Sequence, residues 1–156
     1  MQPLPSRSQA WWDRYFLRGA EWVSSASRDP STKVGAVIVR PNRTPASVGY
    51  NGFPRKIRDT AERLKDRDMK LKLTVHGEIN ALNWATEPVT GYTLYTWPFL
   101  TCSKCAIQVI QAGITRVVAP FVDNPRWNDS FREAQALYEE AEVYCDLINM
   151  ENDVAA

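Results

Sequence analysis

The chain has 156 residues and a formal net charge of +1, from 19 basic and 18 acidic side chains. This balance argues against a protein that binds nucleic acid stably through bulk charge, whereas a small anionic substrate remains allowed. The length fits a single domain over residues 1–156 with a buried core. Three cysteines, no membrane-length apolar run and no signal-type N-terminus favour a reducing cytosol, or the host cytoplasm for a viral protein.

The first predicted element is an amphipathic helix over residues 8–28, stopped by Asp29-Pro30. Trp12, Phe16 and Ala20 recur at helical spacing along it. We expect this aromatic stripe to pack in the core or against another subunit, and the alternative is a platform for base stacking.

A β-hairpin is predicted next, from β-branched strands over residues 33–39 and 46–50 joined by a turn at residues 40–42. Asn51-Gly52-Phe53-Pro54 follows with strong turn chemistry. The segment is either only a turn, or it directs the Asn51 amide at a hydroxyl or base of a ligand.

Charged side chains crowd residues 55–72, where basic residues outnumber acidic ones two to one. A solvated loop or short surface helix is one interpretation. The other is a mobile basic flap that attracts a phosphate.

From His76 onward the pattern alternates between helices and strands. Strands are predicted over residues 92–96, 115–120 and 143–148, with helices from near His76, after Cys105 and over 130–140, the last capped by Asn128 or Asp129. This order predicts a sheet with helices on both faces. Arg126, in the loop before the last helix, is either a surface arginine or a phosphate contact.

Two short motifs contain most of the soft or borderline metal ligands. His76 is the only histidine, and Cys102 and Cys105 are two of the three cysteines. One imidazole and two thiolates match a catalytic zinc site, which has three protein ligands and leaves the fourth position to water. Cys-x-x-Cys at a helix start brings both sulfurs to one side and favours thiolates. We interpret Cys145 as an ordinary buried thiol.

Each motif alone has another interpretation. His-x-Glu arises by chance, and a single Cys-x-x-Cys is also typical of a redox pair or of two buried thiols. In combination they predict a zinc site at which Glu78 carries protons and is not itself a ligand. This combination is typical of zinc-dependent nucleobase deaminases.

Five segments resemble the cytidine and deoxycytidylate deaminase superfamily, and within it the deoxycytidylate deaminases. They lie at residues 29–36, 49–54, 76–81, 102–106 and 110–114, and so span most of the chain. The Gly-Tyr-Asn-Gly segment at 49–52 is the one that separates this branch from deaminases of tRNA adenosine and free nucleosides.

The resemblance implies an α/β fold, a cytidine-deaminase-like three-layer α/β/α sandwich with a mixed five-stranded sheet. It implies one Zn²⁺ per chain and hydrolysis of dCMP to dUMP and ammonia, which supplies dUMP for thymidylate synthesis. It further implies a homo-oligomer, with a hexamer favoured, and Mg-dCTP as a candidate allosteric effector.

Residue roles carried over from the family follow the matched motifs. Zinc would be bound by His76, Cys102 and Cys105, with Glu78 as the proton carrier. The nucleotide would contact Asn51, with Lys33 and Arg126 on its phosphate or ribose side.

Two positions depart from the family pattern: Gly77 stands where Ala is usual, and Thr101 stands where Pro is usual. We expect Gly77 to enlarge the base pocket and Thr101 to give the loop an N–H and more freedom. A roomier pocket would admit a 5-substituted cytosine. Further alternatives are dCTP as substrate, cytosine in single-stranded nucleic acid, and a non-catalytic zinc-binding regulatory subunit.

Overall fold

The computed structural model describes residues 1–151 and places six helices and five strands among them. In chain order the elements are α1 (Gln9–Ser24), β1 (Gly35–Val39), β2 (Pro45–Tyr50), α2 (Ala61–Lys65), α3 (Arg67–Leu73), α4 (Gly77–Trp84), β3 (Thr93–Trp97), α5 (Ser103–Gln111), β4 (Arg116–Pro120), α6 (Asn128–Glu140) and β5 (Tyr144–Ile148). None of the described helices is long and apolar enough to cross a bilayer. The last five residues of the predicted domain 1–156 lie outside the described residues.

The five strands form one mixed sheet in the order β2-β1-β3-β4-β5. Strand β1 is antiparallel to both β2 and β3, whereas β3, β4 and β5 run parallel. Helix α1 covers one face, where Phe16 and Leu17 pack with Val37 and Tyr95. Residues of α4, α5 and α6 form a second core cluster with strand residues that face the other way. The predicted three-layer fold with a mixed five-stranded sheet is confirmed.

A buried ion pair fixes α1 on the sheet. Arg116 of β4 donates two hydrogen bonds of 2.8 Å to the carboxylate of Asp13, which is 3% exposed. The hydroxyl of Tyr95 donates to the same carboxylate at 2.8 Å. Asp13 therefore has charged and neutral donors that replace the water it loses on burial.

Two glycines allow helices to approach the sheet more closely than any side chain would permit. A Cβ at Gly49 of β2 would lie 2.2 Å from the backbone nitrogen of Ala81 and 2.4 Å from the carbonyl oxygen of Gly77, both in α4. A Cβ at Gly35 of β1 would lie 2.1 Å from the carbonyl oxygen of Ala20 in α1. The close contact at Gly49 sets the position of α4, the helix that begins immediately after His76.

Several predicted boundaries differ from the observed ones. Helix α1 ends at Ser24, four residues before the predicted end. The predicted cap of α6 is wrong: the helix begins at Asn128 after Trp127, and no side chain caps it. Asn128 instead accepts the backbone N–H of Asn124 at 3.1 Å, which closes the preceding loop. The charged segment 55–72 contains α2 and α3, capped by Thr60 and Asp66.

Candidate active site

The three predicted metal ligands converge at the N-termini of two helices. His76 is the residue before α4, not a residue of its first turn, and Cys102 is the corresponding residue of α5. The Nδ1 atom of His76 lies 3.1 Å from the sulfur of Cys105 and 3.6 Å from that of Cys102, and all three ligand atoms lie within 4.8 Å of one another. A tetrahedral zinc ion places its nitrogen and sulfur ligands ~3.6 Å apart. The donor set and its spacing fit Zn²⁺.

The two cysteine side chains shift each other's pKa in opposite directions. Hydrogen bonds from the Cys105 thiol, from His76 and from the Cys105 backbone N–H lower the pKa of Cys102, although burial opposes them. The pKa of Cys105 is raised because its thiol donates to Cys102 and is buried. The helix N-terminus contributes in the same direction at Cys102, since its partial positive charge favours a thiolate. Cys145, by contrast, is a half-buried thiol whose pKa burial raises to about 11.

Glu78 lies in the first turn of α4 and is 4% exposed. The hydroxyl of Thr96 donates to its Oε1 at 3.2 Å, and its Oε2 is buried without a hydrogen-bond partner among the described residues. Burial raises the pKa of this carboxyl. A buried carboxyl oxygen without a protein partner fits a group that exchanges protons with something bound beside it.

Glu78, His76 and Cys102 all line one cavity of about 410 Å³, a size typical of small-molecule sites. Two other kinds of side chain line it: the aromatic rings of Phe99, Trp127 and Phe131, and the cationic side chains of Lys65, Arg67, Lys70 and Arg126. An apolar, aromatic wall suits a base, and the cationic side chains suit a phosphate. The cavity therefore combines the surroundings that a nucleotide needs.

Asn51 lines this cavity but uses much of its amide to hold the neighbouring loop. It is 5% exposed, and its Oδ1 accepts the N–H of Val34 at 2.8 Å while its Nδ2 donates to the carbonyl of Thr32 at 2.9 Å. One Nδ2 hydrogen remains outside these two bonds. A direct contact between Asn51 and the nucleotide stays a prediction.

The two predicted phosphate contacts differ in position. Arg126 lines the cavity, with its guanidinium carbon 5.1 Å from the ring centre of Trp127. Lys33 is exposed and is not among the residues that line the cavity, although its neighbours Thr32 and Val34 are.

Lys70 of α3 is a site residue that sequence reasoning missed. It is 8% exposed, and its Nζ donates to Asp29 and Ser31, each at 3.0 Å. Asp29 also accepts the backbone N–H groups of Ser31 and Thr32, so the lysine stabilises the loop that lines the cavity. The basic composition of residues 55–72 was the available signal. The segment forms two short, mostly exposed helices, as the surface-helix interpretation expects, and the phosphate-attracting flap stays a prediction.

The structure shows what surrounds each of the two departures from the family pattern. A Cβ at Gly77 would lie 3.2 Å from Val34 Cγ1 and 3.4 Å from the backbone nitrogen of Asn51, so these residues already occupy the space beside it. The expected larger pocket at that position is absent. Thr101 is fully buried, and its hydroxyl lies 2.6 Å from that of Tyr138, so a tertiary contact holds its side chain, while the expected gain in loop freedom stays a prediction.

Comparison with known proteins identifies the family. Residues 10–120 match the model of the cytidine and deoxycytidylate deaminase zinc-binding region. The chain belongs to this family. An uncharacterised deaminase encoded in the luxG 3′ region of Aliivibrio fischeri is 37% identical over 135 residues, which cover 85% of this chain and 90% of that protein. The deoxycytidylate deaminase of Mus musculus is 36% identical over 115 residues, or 69% of this chain and 63% of that enzyme.

A solved structure shares the fold of this deaminase-family chain. The dCMP deaminase of the cyanophage S-TIM5, in complex with dCMP and dUMP, superposes with a TM-score of 0.71 at 22% identity, covering 91% of this chain and 100% of that one. The resemblance found in the sequence is thereby confirmed at the level of family and fold. Because the matched region is a zinc-binding one and the His76, Cys102 and Cys105 group fits Zn²⁺, zinc is the metal that this site suits.

Proposed function

We propose that this chain catalyses the zinc-dependent hydrolytic deamination of dCMP to dUMP and ammonia. The observation that carries the proposal is the convergence of one imidazole and two cysteine sulfurs beside the buried carboxyl of Glu78, in a cavity that cationic side chains also line. The names of the relatives support it, since several are deoxycytidylate deaminases. The chain spans only 63% of the mouse and human enzymes, so their activity is extended to it as a proposal.

In this proposal His76, Cys102 and Cys105 would hold the zinc ion. Zinc bound there would lower the pKa of a coordinated water and so supply the nucleophile at neutral pH. Glu78 accepts a proton from the water and delivers it to ring N3. It then takes the remaining proton from the attacking oxygen and passes it to the departing amine. A C4–O bond forms and the C4–N4 bond breaks, so that cytosine and water give uracil and ammonia.

The chemistry of the cavity lining suggests which side chains contact the rest of the nucleotide. The base and deoxyribose would pack against Phe99 and Trp127, whose rings stack at 6.0 Å between centres. Arg67 and Arg126, which line the cavity from α3 and from the loop before α6, are the proposed phosphate contacts. Lys70 would add positive charge while it holds the loop at Asp29. Lys33, the other contact predicted from the sequence, lies outside the cavity lining.

The proposal extends to assembly and regulation. A homo-oligomer, with a hexamer favoured, would cover exposed apolar side chains such as Trp22, which is 76% exposed, and Trp84, which is 50% exposed. Mg-dCTP is the proposed allosteric effector, and a second cavity of about 390 Å³ shares Asp29 and Asn51 with the first. Sedimentation and dCMP saturation curves with and without Mg-dCTP test these proposals. We also propose a cytoplasmic location for the protein.

A substrate comparison tests the proposed reaction. Purified zinc-loaded protein is assayed for ammonia release from dCMP, dCTP, deoxycytidine, 5-methyl-dCMP and single-stranded DNA under one buffer. We expect the highest kcat/KM for dCMP, because the cavity provides cations for a phosphate and no added space at Gly77 for a 5-substituent. Faster turnover of single-stranded DNA or of 5-methyl-dCMP would contradict the substrate assignment. Failure to release ammonia from any of them would favour a regulatory subunit.

A further inference from the structure

Helix α6 contacts both residues that flank the ligand Cys102. The hydroxyls of Thr101 and Tyr138 lie 2.6 Å apart, and both residues are 0% exposed. On the other side of Cys102, the backbone N–H of Ser103 donates to the hydroxyl of Ser130 at 3.4 Å. Tyr138 and Ser130 lie at opposite ends of the same helix. The chain is therefore tied to α6 immediately before and immediately after the ligand.

These ties matter because the backbone sets the position of the Cys102 sulfur. Cys102 precedes the first residue of α5 and has an extended backbone, with φ −70° and ψ 166°. Its sulfur accepts a backbone hydrogen bond of 3.4 Å from the N–H of Cys105, which fixes it only relative to its own helix, and it lies 3.6 Å from the Nδ1 of His76. The alignment of the Cys102 sulfur with His76, which precedes a different helix, depends on how the entire turn is held.

The residue at position 101 determines how that turn can be held. A proline there would restrict its own φ without any partner. Threonine has no such restriction, and a buried hydroxyl needs a hydrogen-bond partner, which only Tyr138 supplies among the contacts of Thr101 that the structure shows. In this chain a tertiary hydrogen bond takes the place of a local covalent constraint.

We propose that Thr101 and Tyr138 are positioning residues for the metal site, and that their hydrogen bond holds Cys102 in register with His76 and Cys105. The inference rests on the proposed zinc ligands and adds α6 to the elements that determine metal affinity. Groups that orient metal ligands typically change metal affinity by ~10- to 100-fold when they are removed. We expect effects at the lower end of this range, since the hydrogen bond acts through one backbone unit.

The test compares metal binding by Thr101→Val, Tyr138→Phe and the double variant with the wild-type protein. Tyr144→Phe is the matched control, because it removes the same hydroxyl from a side chain that is 72% exposed. Zinc affinity is measured by competition with a chelator, and Co²⁺ substitution reports the ligand geometry through its thiolate charge-transfer and d–d absorption bands. Circular dichroism establishes that each metal-free variant is folded at the assay temperature.

We expect each single variant to lose about 10-fold in zinc affinity and to show altered Co²⁺ bands. The double variant should resemble the singles, because all three lack the same bond. Unchanged affinity and bands in folded variants, even with a lower melting temperature, would overturn the inference and leave Thr101 and Tyr138 with a purely structural role. If neither single variant folds, Thr101→Ser, which keeps the hydroxyl, is compared with Thr101→Ala, which removes it, and equal zinc affinity of these two variants would overturn the inference. Absence of zinc binding by the wild-type protein would instead refute the proposed ligands.

Discussion

Replacing Glu78 with Gln removes the proton carrier and nearly preserves its shape. The amide oxygen of Gln can still accept the hydroxyl of Thr96, which now donates to Oε1 at 3.2 Å. The amide NH₂ takes the place of Oε2, the oxygen that has no partner among the described residues. The substitution therefore changes the chemistry at one atom and leaves the volume of the cavity almost unchanged.

The size of the expected loss follows from the groups that remain. A positioned general acid–base group contributes typically ~10²–10⁴ in rate, or about 2.7–5.4 kcal/mol in activation free energy. Asp29 is the only other carboxylate among the described residues that line the cavity, and Lys70 and two backbone N–H groups already occupy it. Burial raises the pKa of Asp29, but these hydrogen bonds lower it overall, so Asp29 is a weaker base than Glu78. We therefore expect a loss near the upper end, at about 10⁴-fold in kcat.

The assay measures dCMP deamination together with zinc content. We expect Glu78→Gln to retain one zinc per chain and nearly the wild-type KM, because the lost interaction is one made in the transition state. Glu78→Ala should likewise retain zinc and be nearly inactive, with a new cavity as a complication. The reasoning is refuted if the Gln variant keeps more than about a tenth of the wild-type kcat, since a proton carrier is worth more than that.

Three further predictions concern the metal, the pH dependence and the packing. Cys102→Ala should lose zinc in an equilibrium dialysis measurement, whereas Cys145→Ala should retain it; zinc retained by the former would contradict its role as a ligand. Burial raises the pKa of Asp13, but hydrogen bonds from Arg116 and its other partners lower it overall. The ionised carboxylate therefore stabilises the fold above the ordinary Asp pKa, and this stabilisation is lost as the pH falls through the lower pKa of the folded state. In urea unfolding at pH 7, the free energy of unfolding of Asp13→Asn should be about 3 kcal/mol below that of the wild-type protein, and this difference should shrink below pH ~4. A difference that stays constant with pH would exclude this linkage. Gly49→Ala should destabilise the fold by at least ~3 kcal/mol, because its Cβ would lie 2.2 Å from the α4 backbone. Gly52→Ala is the control: its Cβ would have no atom within 4 Å, so stability should change by under ~1 kcal/mol. Equal melting temperatures for the two alanine variants would show that α4 has room to shift.

The metal ligands were accessible to sequence reasoning because their spacing is local. Cys102 and Cys105 lie one helical turn apart, and one residue separates His76 from Glu78. Local backbone structure therefore sets most of the relative positions within each motif. The fold followed from the alternation of strands and helices, which restricts the possible sheet orders. The convergence of the motifs on one point remained an expectation until the tertiary structure placed the two helix N-termini together.

The phosphate side of the site was less accessible because it depends on which way each side chain points. Lys33 lies in the irregular segment before β1, where its neighbours Thr32 and Val34 line the cavity and Lys33 does not. Lys70 reaches the cavity from α3 by a tertiary contact with Asp29, at a separation of 41 residues. No local pattern distinguishes that lysine from the other basic residues around it.

The charges of the three ligands match the electrostatics of the place where they lie. His76 precedes α4 and Cys102 precedes α5, so the positive ends of two helix dipoles face the same point. A divalent cation is disfavoured there unless its ligands bring negative charge. One neutral imidazole and two thiolates bring two negative charges and leave the zinc centre without net charge. Removing Cys102 would leave a net positive centre between two positive helix ends, and this is why we expect the variant to lose the metal, not merely to bind it more weakly.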